Sequence, residues 1–169
     1  VASVFVSRLD TAVDKELDEI GNTELKGKIA LANAKACVKV FQRVFSGERW
    51  EMLAANGAKV QRLLWASTGT KNPAYSDTLY VDSLIGPHSV NTIPPATLEA
   101  FLDHGSVARR MDQDIDIAER QLAELRRLRV NLEYITDKLQ LDGVQAFVDS
   151  FKSLKKTIEE KSNLLKAGA

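Results

Sequence analysis

Cysteine is nearly missing from this 169-residue chain: Cys37 stands alone, so no internal disulfide can form and no oxidising compartment is implied. It falls on the apolar side of a helical pattern and is expected to be a buried core thiol. Histidine is scarce too. His88 and His104 are far apart, with no cysteine or acidic pattern at ligand spacing, so they argue no metal site. There is no excess of either charge, because 23 basic side chains meet 23 acidic ones, and a nucleic-acid partner held by phosphate neutralisation would need a concentrated basic face. A local cationic pocket is still allowed. No apolar run approaches the ~20 residues of a membrane span, and no basic start leads into an apolar signal core. A cytoplasmic protein without a membrane partner is the expectation. Internal repeats, low-complexity tracts and Gly/Ser linkers are absent, so residues 1–169 are read as one structural unit.

What is present is ordinary globular composition, 44% hydrophobic and 27% charged, enough for a domain with a real core. Residues 1–7 read as a strand from the first position, being β-branched and aromatic with no leading cap. A natural amino terminus rarely opens inside a buried strand, and the expectation is that the chain begins within a larger fold. A helix follows, with Asp10 or Thr11 as cap, Asp14 and Glu16 in its first turns and Gly21 as its stop. Residues 28–45 place Ala30, Ala34, Cys37, Phe41 and Val44 at helical spacing, and Gly47 closes that run. A short helix around Trp50, Met52 and Leu53 ends at Gly57.

Residues 60–95 carry the most function. An apolar strand over 60–67 ends in Ser67, Thr68 and Gly69, then Lys71 and an exposed turn at Asn72-Pro73. Barrels of alternating strands and helices build their ligand face this way, with loops after the late strands holding phosphate on backbone N–H groups and a cation. A short helix from Ser76 or Asp77 to Gly86-Pro87, a strand over 88–93 and a helix opened by Pro94-Pro95 and closed at His104-Gly105 complete the region. The remainder has no strand signal. Residues 111–128 and 144–165 are amphipathic helices, the second striped by Val144, Phe147, Val148, Phe151, Leu154 and Ile158, and both need a surface to cover. Strands joined by helices without hairpin signals predict a parallel sheet. Parallel sheets are normally covered on both faces, so three strands read as the carboxyl-terminal part of a (β/α)8 barrel with additional terminal helices.

Four ordered motifs then carry a resemblance. Ser3-Val4-Phe5-Val6-Ser7-Arg8, Trp65-Ala66-Ser67-Thr68-Gly69-Thr70-Lys71-Asn72, Tyr75-Ser76-Asp77-Thr78-Leu79-Tyr80, and Val90-Asn91-Thr92-Ile93-Pro94 with Asp103-His104-Gly105 together resemble transaldolase, best in its longer bacterial and plant-type branch, from the sixth barrel strand onward. The resemblance implies an enzyme of the pentose phosphate pathway that transfers a dihydroxyacetone unit between sugar phosphates through a Schiff base on a strand-four lysine. It implies no cofactor and no metal. Its substrates would be fructose 6-phosphate, sedoheptulose 7-phosphate, erythrose 4-phosphate and glyceraldehyde 3-phosphate. The family's lysine and its acid/base residues lie on strands upstream of Val1, so no catalytic residue is assigned here and the chain alone is expected to be inactive. Its partner would be the amino-terminal half of the barrel, as a second chain or a missing segment.

By position, Ser3 matches a serine that hydrogen-bonds the sugar, Phe5 a pocket wall, Arg8 a phosphate contact and Ser67 a further phosphate-side serine. The family's best-known members place a second arginine two residues after that serine; Gly69 stands there instead, and Lys71 is the candidate substitute. Plainer readings stand beside these. Arg8 could pair with Asp10, Lys71 could be a solvated loop lysine, Ser67 and Thr68 could merely terminate a strand, and Phe5 could be core. Trp50 and Trp65 read as core, His104 as a helix C-terminal residue favoured by the dipole, and Asp112, Asp114, Asp116 and Glu119 beside Arg109 and Arg110 as a solvated helix start. The reading from another class is a non-catalytic helical scaffold or regulatory subunit that retains a barrel remnant.

Overall fold

The structure, a computed structural model, describes residues 1–167. Its chain divides into two compact units, Val1–Leu132 and Glu133–Ala169. The division falls at the start of a continuous helix, where no linker composition is needed to mark it.

In the first unit three short strands, β1 (Ala2–Phe5), β2 (Leu63–Ala66) and β3 (Ser89–Asn91), form a parallel sheet in the order β1-β2-β3. Ser3 pairs with Leu64 and Leu64 with Val90, while Phe5 is level with Ala66. Side chains alternate across the pleat. Ala2, Val4 and Leu63 therefore share the face toward helix α2 (Ile29–Val44), and Ser3 and Phe5 stand on the other, where both are exposed. Trp65 is buried and fixed by its indole N–H, which donates to the Leu84 carbonyl at 3.2 Å.

Helix α1 (Val6–Glu19) starts directly after β1, earlier than the expected cap at Asp10 or Thr11. Val6, Leu9, Val13 and Leu17 form its buried stripe against α2. Helices α3 (Gly47–Ala55), α4 (Leu79–Ser83) and α5 (Pro95–His104) follow, α5 opening on Pro95 at its first position. Trp50 is only half-buried, meeting Phe45 edge to face at 4.8 Å. Helix α6 (Ile115–Arg127) packs on α2 but begins four residues later than the expected 111, because Asp114 takes a left-handed backbone (φ 53) that turns the chain first. Three of the four acidic residues there are tied to cations: Asp112 to Arg109, Asp116 to Arg120 and Glu119 to Lys39. Cys37 is half-buried rather than fully buried, at an apolar groove of about 470 Å³ between α2 and the β1 side of the sheet; burial raises its thiol pKa.

The second unit is helix α7 (Leu132–Ala167), which runs through Gly143 without a break, so the helix expected over 144–165 is longer than its periodic stripe. Val144, Phe147, Phe151, Leu154 and Ile158 on that stripe are exposed. No helix among the described residues is long and apolar enough to cross a membrane.

Candidate functional site

The carboxyl ends of β1 and β2 lie side by side, and the chain leaves each differently. After Phe5 it enters α1 at once, leaving the first N–H groups of that helix without partners inside it. After Ala66 it turns at Ser67, whose φ of 54 is left-handed. The two exits are joined where the Ser7 N–H donates to the Ser67 carbonyl at 3.0 Å. This bond brings Arg8, on the first turn of α1, next to the strand end that carries Ser67. Arg8 places its guanidinium over the Phe5 ring, 5.3 Å from the centroid, a cation–π geometry that keeps the side chain at the strand end. Ser3 stands one pleat back from Phe5 on the same exposed face. Arg8 makes no ion pair with Asp10 among the described residues; its guanidinium lies over Phe5 instead.

Beyond Ser67 the loop is packed tightly. The buried Thr68 hydroxyl donates to the Asn91 side-chain oxygen at 2.8 Å, and the Thr92 hydroxyl and N–H both donate to the Trp65 carbonyl. A Cβ on Gly69 would stand 3.2 Å from Thr97 Oγ1 and 3.3 Å from Pro94 Cγ, so this position has little room for a larger residue. Lys71 is exposed and lines a polar cavity of about 270 Å³ with Asp10, Asp14, Lys26, Tyr75 and Tyr80; neither Arg8 nor Ser67 contributes to that lining. The structure thus sets Ser3 and Phe5 on one face of β1 with Arg8 over Phe5, places Ser67 just past the end of β2, and carries Lys71 further round the loop.

That cavity holds residues whose role the sequence reading missed. Asp10 accepts the Ala30 N–H at 2.7 Å and the Tyr80 hydroxyl at 2.8 Å; Asp14 accepts the Gly27 N–H at 3.0 Å and the Tyr75 hydroxyl at 2.5 Å. Asp10 therefore does for α2 what a capping side chain does, while Lys28 at the α2 N-cap makes no such bond. Burial, opposed in part by the Ala30 and Tyr80 hydrogen bonds, pushes the Asp10 carboxyl up to about 6. Burial and then the bond to Asp14 raise Tyr75; burial and then the charge of Asp10 raise Tyr80. Both phenols keep their protons and act as donors. The available signal was positional: Asp10 and Asp14 fall within the buried stripe of α1, where solvated carboxylates do not belong.

Comparison with known proteins decides the family. The transaldolase/fructose-6-phosphate aldolase model matches residues 1–158. The chain belongs to that family. It is 49% identical over 154 residues to a transaldolase of Neisseria meningitidis serogroup A, covering 91% of this chain and 43% of the relative. It is 42% identical to a transaldolase of Trichodesmium erythraeum (95% of this chain, 46% of the relative) and 42% identical to transaldolase 2 of a Nostoc species (98% and 47%). The chain spans less than half the length of these transaldolases and matches their carboxyl-terminal part.

Proposed function

We propose that this chain supplies the sugar- and phosphate-holding side of a transaldolase-type (β/α)8 barrel, in which a dihydroxyacetone unit passes between sugar phosphates by Schiff-base chemistry. The observation that carries this reading is the bond from the Ser7 N–H to the Ser67 carbonyl at the carboxyl ends of neighbouring parallel strands, with Arg8 the next residue along, where such folds hold their ligands. An arginine fork offers paired donors to phosphate oxygens, and Phe5 beneath it holds the fork at the strand end. Ser67 adds a hydroxyl from the next strand, and Ser3 faces the sugar from the same side as Phe5. Lys71 is the candidate second cation; it stands further along the loop, in a neighbouring cavity, and would reach back toward the strand end in place of the arginine for which Gly69 leaves little room. The Schiff-base lysine and its proton carriers belong to the barrel strands that precede β1 in the family. The open sheet face of Ser3 and Phe5 and the exposed stripe of α7 support a partner segment carrying those strands. The helical-scaffold reading draws on that α7 stripe alone and leaves the Ser7–Ser67 junction and Arg8 beside it without a use.

The test is a titration of the 169-residue chain with fructose 6-phosphate, followed by amide shifts at Arg8 and Ser67, together with an activity assay. Binding that Arg8→Gln weakens by about tenfold or more, the loss of one charged hydrogen bond, supports the reading. Shifts that ignore the Arg8 substitution would dismiss it. The chain alone should show no turnover; activity should require the complementary amino-terminal half of a relative.

A further inference from the structure

Resting on the phosphate-site reading above, we infer that Asp14 and Tyr75 are positioning residues for it, holding the loop after β2 at a fixed height against the helix that carries Arg8. The loop contributes Ser67 at one end and Lys71 further along, and α1 contributes Arg8. At the near end the two are joined by the Ser7–Ser67 backbone bond. At the far end the Tyr75 hydroxyl reaches Asp14, nearly two helical turns beyond Arg8. Between these ends the loop is internally braced: the Thr70 hydroxyl donates to the Ser76 carbonyl, and the Ala74 and Tyr75 N–H groups donate to the side-chain and backbone oxygens of Asn72. A braced loop pinned at both ends moves as one body with α1.

The pin has a built seat. Asp14 is itself buried and spends its other oxygen on the Gly27 N–H, so its carboxylate cannot swing to follow Tyr75. The Tyr75 ring lies directly on Gly27, where a Cβ would come within 2.9 Å of Cζ. The phenol is therefore fixed in height by the ring beneath it and in direction by the carboxylate. Freed of the hydroxyl bond, the loop would keep its anchor at Ser67 but could tilt, and displacements of about 1 Å at a ligand site can cost up to about a hundredfold.

Tyr75→Phe keeps the ring on Gly27 and deletes only the pin. Tyr80→Phe is its control, since it removes the same kind of hydrogen bond, to Asp10, from α4 outside the loop. Fructose 6-phosphate affinity and hydrogen exchange across residues 67–75 are measured in the wild-type chain and in both variants. The expected result is affinity about tenfold weaker and faster loop exchange in Tyr75→Phe, with Tyr80→Phe close to wild type in affinity even though it is less stable. Equal losses in both variants would overturn the inference, as would wild-type affinity in Tyr75→Phe or a Tyr75→Phe chain that does not fold. If Arg8→Gln abolishes binding and Tyr75→Phe leaves it intact, the phosphate-site reading stands and this inference alone falls; if the wild-type chain binds no sugar phosphate, both fall.

Discussion

Replacing Asp10 with asparagine should remove a pH dependence that the wild-type chain carries between about pH 4 and pH 6. Asp10 is 2% exposed, and burial raises its carboxyl from 3.8 to about 6. Across that interval the folded chain keeps a proton that the unfolded chain has released, so stability falls as pH rises and the full penalty is present above pH 6. At about 1.4 kcal/mol for each pH unit, the rise from 3.8 to about 6 amounts to about 3 kcal/mol. Asparagine has the same shape and no charge. Its oxygen can accept the Ala30 N–H as Asp10 does at 2.7 Å, but its amide must donate to the Tyr80 oxygen, which turns that hydroxyl away and costs about 1 kcal/mol. The variant should thus be about 1 kcal/mol weaker than wild type at pH 4 and about 2 kcal/mol stronger at pH 7. Urea midpoints followed by the fluorescence of the buried Trp65, at half-unit steps from pH 4 to 7.5, give both curves, and their difference cancels the surface carboxylates that titrate in each. Parallel curves would refute the argument, and so would a wild-type midpoint that climbs through the interval.

Gly27→Ala should cost on the order of 2–4 kcal/mol in thermal or urea unfolding, because the position has φ +69 and its Cβ would strike the Tyr75 ring at 2.9 Å. His104 donates to or accepts from Asp77 at 2.9 Å and Asp103 at 3.0 Å, and these bonds, that to Asp77 first, raise its pKa above the ordinary 6.5. An NMR titration should find its midpoint above that value and Asp77→Asn should lower it. Its contribution to stability is present below pH 6.5 and is lost as pH climbs through the raised value; with both partners exposed, the unfolding midpoint should hardly move.

The parallel sheet was legible because nothing between the strand-like runs suggests a hairpin and each gap is long enough for a helix. Their ends were not. The β-branched and aromatic run over 1–7 reads as strand to its end, whereas the chain passes from Phe5 into α1 with no loop, and its early N–H at Ser7 is taken by the Ser67 carbonyl. Local rules assign Asp10 to the nearest helix start; in three dimensions it serves α2, a helix away. The start of α6 was misplaced because Asp114 adopts a left-handed turn that composition does not announce. The apolar stripe that begins at Val144 marks only part of α7, which runs back through Gly143 to Leu132, one glycine costing a helix only about 1 kcal/mol. At the site, Arg8 and Ser67 could be named from residue type and motif. The Asp14–Tyr75 pair could not, since its members are 61 residues apart and each looks alone like an ordinary helix or loop residue.

Gly27, Tyr75 and Asp14 also bind one another's histories. A side chain at position 27 could enter only if the ring at 75 were reduced, a reduced ring would withdraw its hydroxyl from Asp14, and an Asp14 so deprived would be a buried carboxylate short of a partner. No single replacement leads from this arrangement to another of equal quality. Divergence among relatives should therefore keep the trio whole or exchange it whole, and lineages retaining two of the three should be rare.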